Sequence, residues 1–347
     1  MSLAVTAIAA AERLPLPDAA LRFGVDQLVA RTSRRLAAGD RISGPDFALA
    51  MDRWPIATHV RDANEQHYEL PSAFFELALG PRRKYSSCLY PTAKTTLAEA
   101  EIAALEETCA HAALEDGQDV LELGCGWGSL SLFMAERYPA SRIVAVSNSS
   151  TQRLHIESEI ARLGLTNLTI VTADMNAFAP EGSFDRIVSV EMFEHMSNWR
   201  ALFRRARSWI RPDGRLFIHV FSHRDSAYRF DHEDKSDWIA QHFFTGGVMP
   251  SHDLVHQFGE TFAVEHDWRW SGLHYERTAL DWLRNFDANR AAIEAIFVET
   301  YGDQAALWMR RWRLFFLATA GLFGHAGGAE WGVSHYLLRP AGPIPVT

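Results

Sequence analysis

Five short apolar runs, at residues 120–123, 143–146, 168–171, 186–190 and 215–221, follow one another from Asp119 onward, each separated from the next by an amphipathic stretch of helical length. The alternation predicts an α/β domain with a parallel sheet and helices on both faces, because parallel strands need a crossover between them. Ligands of such sheets sit beyond the carboxyl ends of the strands, so function is expected in the loops that follow the runs. Two later runs, 262–268 and 335–339, flank a helical region of about 279–324. If both join the sheet, the helices between them form a cap over its carboxyl edge.

Upstream, Leu21, Val25, Leu28, Val29 and Leu36 fall at helical spacing and Gly39 closes the pattern. An N-terminal helical arm over residues 1–62 is expected, followed by one domain over 63–347 whose helical cap comprises about 223–260 and 271–330. The segment 64–97 is rich in aromatic residues and has no clean period.

With 347 residues, 48% of them hydrophobic, the chain can bury a large core. Its net charge of −9 argues against a protein that coats nucleic acid. Arg200, Arg204, Arg205, Arg207, Arg211 and Arg215 crowd one segment, but at helical spacing such a run reads as a solvated face. Three cysteines without a CxxC pair fit a reducing compartment, and the start of the chain lacks the basic region of a secretory signal. A cytoplasmic protein without stable membrane insertion is expected.

After the first run comes Glu122-Leu123-Gly124-Cys125-Gly126-Trp127-Gly128, opening a helix. Glycines there permit a tight turn and close approach of backbone to ligand. A dinucleotide fingerprint would want Gly or Ala where Ser129 stands, and Gly128 comes one residue early. The pattern suits S-adenosylmethionine instead, which has no pyrophosphate to place on the helix. Residues 147–152 (SNSSTQ), after the second run, offer uncharged partners for ribose hydroxyls, and Asp174, after the third, can accept from an adenine amino group.

The fourth run leads into Glu191-Met192-Phe193-Glu194-His195-Met196, which sets two carboxylates and an imidazole beside the expected sulfonium. Methyl transfer is a displacement that depends on positioning the acceptor, and a carboxylate with an imidazole can hold an ammonium and take its proton. The chain lacks the Asn/Asp-Pro-Pro-aromatic tetrapeptide of enzymes that methylate base amines, so nucleic acid is not the expected acceptor. His252 and His256 have i, i+4 spacing but no third ligand, and no metal is expected.

Residues 64–71 (NEQHYELP), Lys84-Tyr85-Ser86, 121–131 (LELGCGWGSLS), 191–196 (EMFEHM), 243–250 (FFTGGVMP) and His274-Tyr275 resemble the cyclopropane-fatty-acyl-phospholipid synthase superfamily, and most closely its coclaurine N-methyltransferase branch. The resemblance extends from Pro17 to Leu338. It implies a class I, Rossmann-like S-adenosylmethionine-dependent methyltransferase acting on a small cyclic or aromatic amine, and it allows a homodimer. It implies cofactor contact by Tyr85, Ser86, Gly124, Gly126, Asn148, Gln152, Asp174 and Val190. It places Glu69, Glu191, Glu194 and His195 around the acceptor nitrogen, with Glu194 and His195 as the central pair that positions and deprotonates it. In the cyclopropane synthases the matching Glu, the His of the fifth strand (here His219) and a Tyr (here Tyr275) resemble a bicarbonate site together with a Cys directly after the Tyr-Ser pair. Here that position is Ser87, with Cys88 one residue later. Two other readings stand beside amine methylation: modification of an unsaturated acyl chain, and a cofactor-binding regulator without catalysis.

Overall fold

The computed structural model describes residues 3–38, 42–58, 70–231, 233–235 and 237–342. Three helices lead the chain: α1 (Leu3–Arg13), α2 (Asp18–Ala37) and α3 (Gly44–Met51). Pro17 precedes α2 in extended conformation, Asp18 opens its first turn and Arg34 and Arg35 lie in its last, complementing the helix dipole at both ends. Helices α4 (Ser72–Ala78) and α5 (Leu97–His111) follow, the latter started by a capping box between Thr96 and Glu99.

The predicted alternation then unfolds as β1 (Asp119–Leu123), α6 (Ser129–Arg137), β2 (Arg142–Ser147), α7 (Ser150–Leu163), β3 (Leu168–Thr172), β4 (Phe184–Val190), α8 (Trp199–Trp209) and β5 (Ile210–His223). A two-residue ribbon pairs β6 (Tyr228–Arg229) with β7 (Val248–Met249) around the short α9 (Trp238–His242). The chain closes with β8 (Phe262–Ser271), α10 (Gly272–Ala288), α11 (Arg290–Tyr301), α12 (Ala305–Gly324) and β9 (Trp331–Pro340).

Seven strands form one sheet in the order β3-β2-β1-β4-β5-β9-β8. β9 runs antiparallel between β5 and β8, and the other neighbours are parallel. The late strands do join the sheet, and the helices between them are the expected insertion. The order reverses between β1 and β4, so the loops after these two strands diverge to opposite faces and leave a crevice between them.

Several boundaries differ from the sequence reading. β5 begins at Ile210 rather than Arg215, and the register with β4 shifts between Phe184 and Arg186. α10 starts at Gly272, where a helix had been expected only from about 279. The arginine run is engaged on several sides: Arg200 meets Asp52, Arg205 caps the carbonyls of Met175 and Asn176, Arg211 pairs with Asp119 and Arg215 with Glu265. His252 and His256 lie in and beside a single 3-10 turn, with Asp267 3.8 and 3.9 Å away. Among the described residues no cluster of three His, Cys, Asp or Glu side chains is placed to hold a metal, and no helix is long and apolar enough to cross a membrane.

The N-terminal helices pack on the rest of the molecule. Glu12 accepts from Trp238 Nε1 at 3.0 Å and meets Arg311 at 2.7 Å, while Arg313 joins Asp18 to Asp287. Beneath them an aromatic core, with Phe74 against Trp312 (4.7 Å) and Phe243 stacked on Phe315 (4.4 Å), fixes α12 over the carboxyl edge of the sheet.

Candidate active site

The turn after β1 takes three left-handed glycines, at Gly124, Gly126 and Gly128. Gly124 shows why a side chain is excluded: at φ +81° a Cβ would lie 2.5 Å from Met192 Cγ and 2.7 Å from its Cβ. Its N–H and that of Cys125 both donate to Val146 O at 3.0 Å, so the turn is tied to β2 and its outer edge remains for a ligand. Gly124→Ala is expected to weaken S-adenosylhomocysteine binding, measured by calorimetry, by about fivefold or more, since the clash with Met192 and a left-handed strain of about 1–3 kcal/mol displace the turn that holds the ligand.

One cavity opens at this turn, in the crevice between β1 and β4. It is lined by all eight residues expected to contact the cofactor: Tyr85, Ser86, Gly124, Gly126, Asn148, Gln152, Asp174 and Val190. Gln152 is buried; its Oε1 accepts from Ser147 Oγ at 2.6 Å, and its Nε2 has no partner among the described residues. Ser129 Oγ is buried and unpartnered in the same way. Orphaned donors at a cavity wall are the groups a polar ligand satisfies, so the residues present fit a cofactor with hydroxyl and amino acid portions. Asp174, exposed at the mouth, already accepts from Asn176 N (2.8 Å) and Asn176 Nδ2 (3.0 Å) through Oδ1. Glu122, not singled out by the sequence reading, also lines the cavity; burial pushes its carboxyl up to about 7, and Ser131 donates to it.

The segment that brings Tyr85 and Ser86 here is held by Glu101 of α5, which accepts from Arg82 N (2.9 Å) and Lys84 N (3.1 Å). Lys84 is buried, and its Nζ donates to Ser86 Oγ and, at 2.6 Å, to Ser87 O.

Glu191 ends β4 with φ +47°, a conformation costly for a residue with a Cβ and common at functional sites. Its Oε1 accepts from Ser87 N at 2.9 Å and faces His219 Nε2 at 3.2 Å; its Oε2 accepts from Tyr275 OH at 2.7 Å. Burial raises its pKa, opposed by Lys84 and by the bond from Ser87. Glu191 and His195 line the cavity, and His195 stacks on Phe244 at 4.9 Å. Glu194 does not line it. It is fully buried, with Oε1 accepting from Phe221 N at 2.6 Å and Oε2 unpartnered among the described residues. Burial first, and then the neighbouring Glu191, hold its pKa well above the carboxylate range. Glu69 lies outside the described residues.

The structure thus gathers Glu191, His219, Tyr275 and Ser87 into one hydrogen-bonded group, of which the residue pattern alone pointed only to Glu191. The others entered through family resemblance. Cys88 takes no part: it is buried, its N–H donates to Thr278 Oγ1 at 3.0 Å, and burial pushes its thiol up to about 12. The hydroxyl of Ser87 turns to Cys88 O at 3.3 Å, so neither side chain supplies a thiol to the group.

This geometry is matched by comparison with known proteins. The family model for mycolic acid cyclopropane synthetase matches residues 57–326. (S)-coclaurine N-methyltransferase of Thalictrum flavum subsp. glaucum is 38% identical over 289 residues, 82% of this chain and 80% of that one. Cyclopropane-fatty-acyl-phospholipid synthase of Escherichia coli K12 is 32% identical over 224 residues, 64% of this chain and 56% of that one. A crystal structure of coclaurine N-methyltransferase bound to N-methylheliamine and SAH superposes with a TM-score of 0.92 at 33% identity, covering 97% of this chain and 100% of that one. A glycine turn, a buried carboxylate group and a helical insertion in these positions, with relatives this close, make the chain a member of the mycolic acid cyclopropane synthetase family, in its coclaurine N-methyltransferase-like branch, and an S-adenosylmethionine-dependent methyltransferase.

Proposed function

We propose that the protein methylates the nitrogen of a small cyclic or aromatic amine, with Glu191, Glu194 and His195 around the acceptor. The observation that carries this reading is Glu191 and His195 together on the wall of the cofactor cavity, with His195 stacked on Phe244 and the buried carboxyl of Glu194 beside Glu191. A carboxylate and an imidazole on that wall can hold an ammonium and take its proton. Aromatic rings surround this point: Phe221 and Phe230 each lie 5.4 Å from Phe244, and Tyr275 stacks on Phe323 at 4.3 Å. Such rings suit an aryl group and stabilise a cationic nitrogen. Relatives that share the fold and most of its length are named for N-methylation of (S)-coclaurine and pavine.

When bound at the glycine turn, S-adenosylmethionine supplies an electrophilic methyl group on a sulfonium. The chain's own contribution is to hold the amine with its lone pair free, which requires removing the ammonium proton at a carboxylate. In this reading Glu194 and His195 fix the nitrogen and Glu191, with Tyr275 and His219 bonded to it, receives the proton. Residues 1–62 serve as a helical arm on a domain over 63–347, the helices of 223–260 and 271–330 enclose the amine, and the protein works in the cytoplasm as a monomer or homodimer without nucleic acid.

The test uses cofactor carrying a trideuterated methyl group, a panel of cyclic and aryl-alkyl amines, and vesicles of unsaturated phospholipid. The expected product is an amine retaining all three deuteriums by mass spectrometry. An acyl chain gaining a methylene with two deuteriums would replace the proposal with lipid cyclopropanation, and tight cofactor binding without transfer to any acceptor would favour a regulator.

A further inference from the structure

From Glu191 a row of three histidines leads across β5 and β9 to α5, and none of the three lines the cofactor cavity. His219 of β5 faces Glu191 Oε1 with Nε2 (3.2 Å), and its Nδ1 meets Nε2 of His335 at 2.8 Å. His335 of β9, the direct cross-strand partner of His219, presents Nδ1 to Nδ1 of His111 at 2.8 Å. His111, in the last turn of α5, turns its Nε2 to Glu107 at 3.1 Å. Each ring uses one nitrogen inward and the other outward. His219 and His335 are 0% exposed, the His111 side chain is 12% exposed, and that of Glu107 is 42% exposed, so the row runs from buried interior to solvent. Trp268 stacks on His111 at 3.7 Å, and Trp270 and Phe217 flank His335 at 4.3 and 5.1 Å, an apolar sheath that keeps water from short-circuiting it.

We propose that Glu191, His219, His335, His111 and Glu107 form a proton exit path, which carries the proton of the acceptor ammonium from the active site to solvent. This rests on Glu191 being the group that receives that proton. The path has four links, and three neutral imidazoles supply three N–H protons. With both terminal carboxylates ionised, one link would oppose two lone pairs; one additional proton fills all four. Burial drives the pKa of both His219 and His335 well below the ordinary value, so the inner rings stay neutral and the extra proton rests at an end, on Glu191 or Glu107. The charged and titratable groups facing the rings are Glu191 and Lys84 at the inner end and Glu107 at the outer one; β8 contributes only Trp268 and Trp270.

The transfer balances. The acceptor N–H bond breaks and its electron pair stays on nitrogen as the nucleophilic lone pair, while Glu191 takes the proton. Glu191 passes a proton to His219 Nε2, His219 Nδ1–H passes one to His335 Nε2, His335 Nδ1–H to His111 Nδ1, and His111 Nε2–H to Glu107, which releases it to water. One proton enters, one leaves, and the three tautomers are inverted. Resetting them for the next turnover makes the path sensitive to solvent deuterium.

The experiment cuts the path at its outer end, at two side chains that do not line the cofactor cavity, with His111→Gln and Glu107→Gln. The probes are tetrahydroisoquinoline, protonated at neutral pH, and an analogue difluorinated beside the aminomethyl carbon, which is neutral there. On the basic amine kcat is expected to fall about tenfold, less than the roughly 10²–10⁴-fold that loss of the base itself costs, with KM unchanged, an altered solvent isotope effect, and recovery as pH rises and free base accumulates. On the fluorinated amine both variants should match the parent, and imidazole in the buffer should restore His111→Ala. Equal losses on both amines, or an unaltered isotope effect, would reduce the row to a structural role and overturn the proposal. If Glu191→Gln stalls on the basic amine while both outer variants behave as the parent, only the exit path fails. If Glu191→Gln turns over the basic amine normally, the role given to Glu191 fails with it.

Discussion

Glu191→Gln is expected to lower kcat on a basic amine by roughly 10²–10³-fold, the range for loss of a general base, with S-adenosylhomocysteine affinity essentially unchanged by calorimetry. The substitution keeps shape and a carbonyl that accepts from Ser87 N or Tyr275 OH, and removes charge and basicity alone. Because burial raises the pKa of Glu191, protonation disables the base at a pH above the ordinary carboxylate range. The acid limb of the parent's kcat profile should lie there, and in the variant it should vanish. Glu194→Ala combined with His195→Ala should behave differently, raising KM as well, because the proposed role of these residues is to hold the nitrogen. Loss of cofactor affinity in either variant would place the residues in the cofactor site and refute their assignment.

β1, β2 and β4 were legible in the sequence because their runs are nearly continuous and apolar, as strands covered on both faces must be, while the edge strand β3 buries Leu168 and Ile170 and exposes Thr169 and Thr172. β5 was read short because Pro212-Asp213-Gly214 carries turn chemistry, yet the strand passes through it with a register shift against β4. The opening of α10 escaped notice for a more informative reason. Its inward face carries Tyr275, Thr278 and Asp281, whose partners are Glu191, the Cys88 N–H and the Tyr90 hydroxyl. Polar residues buried for such partners erase the apolar period by which a helix is recognised. His111, His219 and His335 are separated by more than 100 residues at each step. Only the register of β5 on β9 and the packing of α5 bring them together, and no spacing in the chain encodes that.

Gly272→Ala is expected to be the most destabilising single-methyl change in the molecule's cap, by about 3 kcal/mol or more, at the upper end of what overpacking costs. Gly272 is where β8 becomes α10. A Cβ there would lie 2.2 Å from both Phe323 O and Trp331 O. These are backbone atoms, one at the end of α12 and one at the first residue of β9, so no side-chain rotation relieves the clash and the helix start must move. For a chain of this size the melting temperature should fall by roughly 4 °C or more. Gly259→Ala is the control: the nearest atom to its Cβ would be His256 O at 3.8 Å, and its φ of −60° suits any residue, so thermal unfolding should be unchanged or slightly later. The consequence for chemistry follows from position. Tyr275 lies within the first turn of α10 and holds Glu191 Oε2 at 2.7 Å, so a displaced helix start pulls the hydroxyl from the carboxylate. Gly272→Ala should therefore lose kcat below its melting temperature in proportion to what Tyr275→Phe loses, and the two changes together should lose little more than either alone. Additive losses would mean that the cap and the carboxylate group are independent, and that the junction at Gly272 matters to folding only.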